Sequence, residues 1–233
     1  MAIYPFIMAG GLGKRLAPIS TPETPKQFLK LNSEQTMLQE TLARLEVKDF
    51  ETPCIISNQK HEKLIAQQLG DESNHQIILE AEGRGTAFAI GIAALCAIEK
   101  NENALILMLP CDHVIESHEA FYEAVKSGLP HAKQGSLVVL GAKPTHPETG
   151  FGYIETDEHA HVCKFTEKPD IETAQQFIQN ENMLWNTGMF LFPALKILDE
   201  LKTHAPEVSK AAQESWRSKT QKVPHRIFTK QAH

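Results

Sequence analysis

The sequence predicts an α/β protein with a mixed, mainly parallel sheet flanked by helices. Between residues 6 and 141, short apolar runs of strand length alternate with helical patterns about four times. Repeated units of this kind form parallel sheets with right-handed crossovers. The run 104–109 is apolar on both faces, as in a central parallel strand. We therefore expect a Rossmann-like sheet that binds ligands beyond the carboxyl ends of its strands.

The first half of the chain contains the elements of this alternating pattern. Strands are predicted over residues 6–9, 54–57, 76–79, 104–109 and 136–141. Helices are predicted over residues 33–45, 59–69, 87–99 and 119–133. The segment 87–99 is apolar on nearly every side, which is typical of a buried helix. Asn32 or Ser33 is the expected cap of the helix over residues 33–45.

The pattern changes after Gly150. Two strands over residues 152–156 and 162–166 flank a polar turn and are expected to pair. A helix over 171–180, a strand over 189–192 and two helices that end near residues 204 and 218 follow. Residues 222–233 show no clear pattern. Because there is no linker, repeat or low-complexity tract, one domain over residues 1–233 is predicted.

Composition narrows the class of protein. The chain has 233 residues, 42% of them hydrophobic, which is enough for a large globular domain. Its net charge of -6 argues against nucleic-acid binding, so an anionic ligand would depend on local cations. No apolar run is long enough for a membrane span, and the first residues do not resemble a signal peptide. The four cysteines lie far apart without a Cys-x-x-Cys motif, so we expect a reducing cytoplasm.

A glycine-rich segment follows the first predicted strand. Gly10, Gly11 and Gly13 allow backbone N–H groups to surround an anion, since no Cβ atom stands in the way. Lys14 and Arg15 come directly after them. A glycine turn with cations at the end of a strand is suited to a polyphosphate. A tight turn with solvated basic side chains remains the alternative.

Two related phosphate-binding motifs do not match this segment. A P-loop requires Ser or Thr after Gly-Lys, whereas this chain has Arg15. A dinucleotide fingerprint requires a third glycine where this chain has Leu16. Lys26 follows shortly and adds a further cation to the region.

A second glycine-containing loop precedes the apolar helix predicted over residues 87–99. Gly83 and Gly85 leave room for a base or ribose to approach the backbone, and Arg84 and Thr86 complete the loop. The helix start adds N–H donors. An ordinary connecting turn is the alternative.

Asp112 directly follows the central apolar strand. A carboxylate at this edge of the sheet can hold Mg²⁺, which prefers oxygen ligands and phosphate. The alternative is an aspartate that caps a turn. His113 could be a hydrogen-bonded interior residue, and Cys111 with His113 lacks the second ligand pair of a zinc site.

Further polar residues lie in the region after Gly150. Glu167 and Lys168 place an acceptor for sugar hydroxyls beside a cation for a sugar phosphate. Asn186 offers both a donor and an acceptor, and Gly152 allows close approach of the backbone. The alternatives are a surface ion pair for Glu167 and Lys168 and a turn-forming role for Asn186.

Several motifs together resemble the sugar-1-phosphate nucleotidyltransferases. Thr-Pro-Lys-Gln-Phe-Leu at 24–29 and Pro-Glu-Thr-Gly-Phe-Gly-Tyr at 147–153 are similar to the type II mannose-1-phosphate guanylyltransferase (GDP-mannose pyrophosphorylase) branch. So are Phe-Thr-Glu-Lys-Pro at 165–169 and Trp-Asn-Thr-Gly-Met-Phe at 185–190. The resemblance covers about residues 7–206 and implies a nucleotidyltransferase domain of the glycosyltransferase-A-like type. Family members continue further, so we expect the domain to be truncated at its C-terminus.

The resemblance implies that GTP and α-D-mannose 1-phosphate react to form GDP-mannose and pyrophosphate. Arg15 and the backbone of residues 11–14 would hold the β- and γ-phosphates, and Lys26 would neutralise the α-phosphate. Asp112 would bind Mg²⁺ between the nucleotide and the sugar phosphate. Residues 83–86, including Gly83, would lie against the nucleoside.

On the sugar side, the resemblance assigns Lys168 to the phosphate, and Glu167, Asn186 and Gly152 to mannose. A homodimer is one compatible assembly, since the sequence does not determine the oligomeric state. Two alternatives stay open. One is the same chemistry with another nucleotide or sugar, and the other is a non-catalytic nucleotide-sugar-binding protein.

Overall fold

The structure is a computed structural model that describes residues 2–11, 16–70, 74–223 and 225–229. Its contacts divide the chain into two compact units. We call Met1–Val138 with Phe190–His233 the first unit, and Val139–Met189 the second unit. The prediction of one domain over residues 1–233 stays a prediction. In the described residues, no helix has both the length and the apolar character that crossing a membrane requires.

Strands and helices alternate along the chain as the sequence predicts. In chain order, the described elements are β1 (Ile3–Met8), α1 (Met37–Ala43), β2 (Cys54–Asn58), α2 (Glu62–Leu69), β3 (Gln76–Glu80), α3 (Thr86–Lys100), β4 (Leu105–Pro110), α4 (His118–Lys133), β5 (Val138–Ala142), β6 (Tyr153–Thr156), β7 (Val162–Thr166), α5 (Ile171–Phe177), β8 (Met183–Pro193), α6 (Ala194–His204), α7 (Pro206–Arg217), β9 (Thr220–Val223) and β10 (Arg226–Thr229).

The sheet of the first unit is mainly parallel, which confirms the predicted fold class. β4, β1, β2, β3 and β10 lie side by side in that order, and each pair is parallel. β9 is antiparallel to β10, and residues 190–193 of β8 are antiparallel to β4. The sheet is therefore mixed at both ends and parallel in its centre.

The apolar helix α3 lies at the centre of the main hydrophobic core. Eight of its residues are buried, and α6 and α7 pack against it. Trp216 of α7 is buried in the same core, and its Nε1 donates a hydrogen bond to Glu99. The prediction that this helix is buried is confirmed.

The predicted start of α1 was wrong. Thr36, rather than Asn32 or Ser33, caps the helix, and its side chain forms a capping box with Gln39. Asn32 and Ser33 belong to the preceding turn. A reciprocal pair of hydrogen bonds satisfies two terminal N–H groups, which explains why the helix begins there.

The second unit has a small antiparallel sheet. β6 pairs with β7 and with the beginning of β8, so the predicted hairpin is confirmed. The alternating pattern had suggested that β5 would extend the parallel strands. β5 pairs with β8 instead. Tyr153, Ala174 and Met183 form its core.

Candidate functional site

The carboxyl ends of neighbouring parallel strands meet at one edge of the first unit. β1 and β4 end together, with Met8 aligned to Pro110. β2 and β3 end together, with Asn58 aligned to Glu80. Parallel strands direct their carboxyl ends to the same side of a sheet. The segments that follow β1, β3 and β4 therefore lie along one edge, as predicted.

An ion pair at this edge joins Lys26 to Asp112. The lysine Nζ lies 2.9 Å from the aspartate Oδ2. A short 3₁₀ helix, Lys26–Phe28, presents the lysine, and the end of β4 presents the carboxylate. The two side chains are 25% and 39% exposed, so a ligand can reach both charges. The structure thus brings together two residues that the sequence analysis took from separate segments.

The surroundings of Asp112 suit a metal that has few protein ligands. In the described part of the chain, no group of three or more His, Cys, Asp and Glu side chains could hold a metal ion. Mg²⁺ is commonly held by one or two carboxylates, with phosphate and water as its other ligands. The Oδ2 atom already contacts Lys26. Among the described residues, Asp112 therefore offers a divalent metal a single carboxylate, and phosphates and water would have to supply the other ligands.

The two residues that flank Asp112 in the sequence, Cys111 and His113, are neutral at ordinary pH. Burial lowers the pKa of the His113 ring, although the charge of Asp112 opposes the shift. Burial also raises the pKa of the Cys111 thiol well above its usual value, and Asp112 adds to the effect. Among the described residues, Cys111 and His113 belong to no group of three or more possible metal ligands, so a zinc site is not supported here.

Arg44 lies buried behind the Asp112 segment. One Nη2–H donates to the carbonyl oxygen of His113 at 3.1 Å, while Nε and Nη1 have no hydrogen-bond partner among the described residues. Burial lowers the pKa of this guanidinium, but arginine stays charged in proteins. Arg44 and Lys26 therefore give the edge a positive potential that suits a polyphosphate. Sequence reasoning missed Arg44 because it ends an ordinary amphipathic helix.

The glycine segment continues directly from β1. Apart from its chain neighbours, a Cβ atom at Gly10 or Gly11 would meet no atom of the described residues within 4 Å. The space beside both residues is therefore open to a ligand that approaches the backbone. Gly13, Lys14 and Arg15, which were predicted to bind phosphate, lie outside the described residues.

Hydrogen bonds hold the residue before these glycines in place. The N–H group of Ala9 donates to Ile56 at 2.8 Å, which extends the pairing of β1 with β2. The carbonyl oxygen of Ala9 accepts hydrogen bonds from Ser57 Oγ at 2.7 Å and from Gln27 Nε2 at 2.8 Å. The start of the glycine segment is therefore fixed on both its donor and its acceptor side.

The four consecutive residues predicted to lie against the nucleoside form the end of the loop before α3 and the first residue of that helix. Gly85 has a φ of +86°, a left-handed conformation that favours glycine, and it precedes Thr86, the first residue of α3. Within the described part of the chain, a Cβ atom at Gly83 would meet nothing within 4 Å apart from its chain neighbours. The Arg84 guanidinium lies 5.5 Å from the centroid of the Phe88 ring. This arrangement leaves the backbone of the loop accessible at the helix start.

Glu80 ends β3 directly before this loop and was missed by the sequence analysis. Its side chain is 7% exposed, and Oε1 has no hydrogen-bond partner among the described residues. Burial raises the pKa of the carboxyl to about 7, and nearby Arg84 partly opposes this shift. An unpaired polar atom in the interior is costly, and protonation of the carboxyl lowers this cost. Its only sequence signal is an acid at the end of an apolar strand.

In the second unit, Lys168 and Glu167 form a local ion pair. The lysine Nζ donates to Glu167 Oε1, and both side chains are more than half exposed. Lys168 has a φ of +43°, in the left-handed region that few non-glycine residues occupy. Such conformations often occur where the surroundings constrain a residue for binding.

The other predicted sugar-side residues lie in the same unit and contact one another. A Cβ atom at Gly152 would stand 2.8 Å from Phe165 Cζ and 3.0 Å from Glu167 Oε2. The carbonyl oxygen of Gly152 accepts a bond from the N–H group of Asn186 at 2.8 Å. The Asn186 Oδ1 accepts a bond from Gly188 at 3.0 Å, so its amide nitrogen is the group that remains to donate to a ligand.

Comparison with known proteins places the chain among related sequences. The family model described as nucleotidyl transferase matches residues 4–228. A mannose-1-phosphate guanylyltransferase of Escherichia coli is 43% identical over 226 residues, which cover 91% of this chain and 49% of that protein. Another, from Salmonella typhimurium, is 45% identical over 225 residues, 92% of this chain and 47% of that protein. The chain thus spans about half the length of these curated relatives.

A solved structure shows the same fold. The crystal structure described as mannose-1-phosphate geranyltransferase from Thermus thermophilus has a TM-score of 0.85 and 28% sequence identity. The similarity covers 98% of this chain and 74% of that chain. Because the family model matches far more than half of the sequence, the chain belongs to the nucleotidyl transferase family.

Proposed function

We propose that this chain carries out the reaction of a mannose-1-phosphate guanylyltransferase, in which GTP and α-D-mannose 1-phosphate give GDP-mannose and pyrophosphate. A phosphate oxygen of mannose 1-phosphate attacks the α-phosphorus of GTP. The bond from that phosphorus to the oxygen that bridges it to the β-phosphate breaks, and pyrophosphate leaves. The observation that carries the proposal is the solvent-accessible Lys26–Asp112 pair at the strand edge, with 2.9 Å between Nζ and Oδ2.

Charge neutralisation and positioning supply the catalysis in this proposal, since phosphoryl transfer needs no covalent intermediate with the protein. Lys26 neutralises the α-phosphate, and Arg44 adds positive potential behind it. The backbone of Gly10 and Gly11, which has open space on its Cβ side among the described residues, is proposed to bind the remaining phosphates. Gly13, Lys14 and Arg15 are proposed to complete this subsite, as the sequence analysis expects.

Asp112 would hold Mg²⁺, which supplies further neutralisation of phosphate charge when it is bound. Lys26, which pairs with this carboxylate in the structure, would then be free to contact phosphate oxygens.

Glu80 is proposed to favour guanine once nucleotide binding exposes and ionises its buried carboxyl. Guanine presents two adjacent N–H donors, N1–H and the 2-amino group, and a carboxylate can accept from both. Uracil and thymine present a single N–H group between two carbonyl oxygens, which a carboxylate would repel. Glu80 lies at the end of β3, directly before residues Gly83, Arg84, Gly85 and Thr86, which we assign to the nucleoside.

The second unit supplies the sugar side in this proposal. Lys168 binds the phosphate of mannose 1-phosphate, and Glu167 accepts hydrogen bonds from sugar hydroxyls. The amide nitrogen of Asn186 donates to a hydroxyl, and the Gly152 backbone lies beside them. The named relatives at 43% and 45% identity support mannose 1-phosphate as the substrate.

We also propose a setting for this activity. The enzyme would work in the cytoplasm, supplying GDP-mannose for polysaccharide synthesis, without a nucleic-acid or membrane partner. A homodimer is one compatible assembly. Sedimentation of the purified chain with and without GTP would measure the assembly directly.

A pyrophosphate-release assay on this chain tests the proposed function. GTP, ATP, UTP and dTTP are each paired with mannose 1-phosphate and with glucose 1-phosphate, with Mg²⁺ present or removed by a chelator. We expect the highest kcat/KM for GTP with mannose 1-phosphate, and loss of turnover without the metal. A preference for UTP or dTTP would indicate another sugar-1-phosphate nucleotidyltransferase. Tight GDP-mannose binding without turnover would indicate a non-catalytic binding protein.

A further inference from the structure

The short helix that carries Lys26 has a second polar side chain that faces inward. Gln27 is only 3% exposed, although glutamine side chains are mostly found at the surface. The next residue, Phe28, is also buried, and its ring meets the ring of His61 edge-on at 5.7 Å. The helix is therefore anchored by two buried side chains while Lys26 reaches the Asp112 carboxylate.

The amide group of Gln27 binds the backbone of the glycine segment at two points. Its Nε2 donates to the carbonyl oxygen of Ala9 at 2.8 Å and to that of Gly11 at 3.1 Å. Both acceptors are carbonyl oxygens, which identifies the nitrogen as the atom that faces them. The two hydrogens of one amide thus hold the residues on either side of Gly10.

This arrangement matters because glycine has the least restricted backbone of all residues. Ordering such a segment around a ligand costs conformational entropy at each residue. A carbonyl oxygen that turned toward a phosphate would also repel it. A donor that holds the oxygens of Ala9 and Gly11 removes both obstacles before the nucleotide binds.

We infer that Gln27 is a positioning residue that orders residues 9–11 and fixes them to the helix that carries Lys26. The inference rests on the proposed function, because it assigns the phosphates of the nucleotide to this segment. Gln27 itself contacts no substrate. It holds the backbone of Ala9 and Gly11. It also fixes the position of Lys26, which belongs to the same short helix.

Two substitutions test this role. Gln27→Glu keeps the shape of the side chain but replaces the donor with a carboxylate that repels both carbonyl oxygens. Gln27→Met keeps its length and removes the donor without adding a charge, so it covers the case in which the first variant fails to fold. The matched control is Gln39→Glu, because Gln39 Nε2 donates to the carbonyl oxygen of Gln68 at 3.1 Å, in α2.

The following measurements distinguish a loss of order in the glycine-segment backbone from a general loss of structure. We expect both Gln27 variants to raise the KM for GTP about tenfold or more, the loss expected for two hydrogen bonds. The KM for mannose 1-phosphate should stay within about twofold, and the Gln39→Glu variant should keep both values. Amide hydrogen exchange over residues 6–11, measured without nucleotide, should be faster in the Gln27 variants alone.

Each other outcome has a defined meaning. An unchanged KM for GTP, or an equal rise in both KM values, would overturn the inference. Should the wild-type chain turn over no nucleotide, the proposed function would be wrong and hydrogen exchange alone would decide about Gln27. In that case, unchanged exchange over residues 6–11 in the Gln27 variants would refute the ordering role.

Discussion

The two units bring their predicted ligand groups together in different ways. In the first unit, Lys26 and Asp112 come from distant parts of the sequence and meet because β1 and β4 are neighbours in the sheet. In the second unit, Glu167 and Lys168 are adjacent in sequence and contact each other directly. The first arrangement depends on tertiary structure, whereas the second depends mainly on a local backbone conformation.

The two units also differ in what surrounds these charges. Behind the edge of the first unit lie the buried polar side chains of Gln27, Arg44 and Glu80. The ion pair of the second unit is more than half exposed on both sides. Changes to the polar side chains of the first unit should therefore alter charge balance and protonation. Changes to the exposed ion pair of the second unit should alter ligand contacts and leave the fold stable.

The largest effect is expected for Asp112→Ala. Loss of the carboxylate removes the proposed metal ligand and should lower kcat by about a thousandfold or more. The unfolding free energy should change by less than about 1 kcal/mol, because the ion pair is partly exposed. Pyrophosphate release and thermal unfolding measure the two quantities.

A matched control for this substitution is Glu123→Gln. Glu123 also pairs with a lysine, Lys126 at 3.5 Å, and both side chains are exposed. Its removal should leave kcat within about twofold, since it lies away from the strand edge. Full activity of the Asp112→Ala variant would contradict the metal assignment and the contrast between the units.

A smaller effect, on stability, is expected for Glu80→Gln. The folded-state pKa of about 7 lies above the ordinary value of 4.5 because burial disfavours the charged form. The protonated carboxyl therefore stabilises the fold fully below pH 4.5, and this contribution is lost as the pH rises through about 7. Glutamine resembles the protonated form at every pH. The variant should be more stable than wild type at pH 8 by up to about 3 kcal/mol.

Urea unfolding without nucleotide, at several values between pH 4.5 and pH 8, measures this difference. The stability gap should shrink toward the acid end of the series. A gap of constant size would show that the carboxyl does not titrate in this window. The constant difference in unfolding free energy would then reflect how the new glutamine side chain packs.

A still smaller effect is expected for Gly152→Ala in the second unit. The new Cβ atom would stand 2.8 Å from the Phe165 ring and 3.0 Å from Glu167 Oε2, so one of them must move. Displacing Glu167 should lower kcat/KM for mannose 1-phosphate about tenfold. Steady-state kinetics with each substrate varied in turn would show whether the KM for GTP is spared.

Gly141→Ala is the matched control for crowding. Its Cβ atom would stand 2.7 Å from a Leu184 side-chain carbon in the same unit, with no polar group among the three nearest atoms. We expect lower stability without a selective rise in the KM for mannose 1-phosphate. Equal kinetic losses in both variants would mean that Gly152 matters for packing alone.

The smallest effect is expected for the stability of Glu167→Gln. Exposed ion pairs contribute about 0–1 kcal/mol, so the unfolding free energy should hardly change. The KM for mannose 1-phosphate should nevertheless rise, because an acceptor for sugar hydroxyls is weakened. A large loss of stability would show that this pair supports the fold and would remove the contrast with the first unit.

Strong local patterns predicted most of the fold. The apolar runs that became β2, β3 and β4 and the apolar helix α3 were located to within one or two residues. The end of the chain was not predicted, because β9 and β10 are short and mixed in composition. β10 forms through its pairing with β3, a long-range interaction that no local pattern reports.

The residues of the candidate site likewise fall into those that local patterns indicate and those that only long-range contacts reveal. Glycines and charges in recognisable motifs indicated Lys26, Asp112 and Glu167 from the sequence. Gln27, Arg44 and Glu80 were missed, because their importance comes from burial and from which backbone groups they meet. A buried carboxyl and an exposed one look the same in a sequence.

The sequence by itself determined the order of the strands and helices and the types of ligand group that the loops carry. Periodicity and glycine spacing are local properties, so they can be recognised without knowing the fold. Tertiary structure alone decided that Lys26 meets Asp112 and that Gln27 holds two carbonyl oxygens of the glycine segment. These contacts arise when sheet formation brings together segments that are far apart in the chain, and the environment that results sets the charge and order of the site.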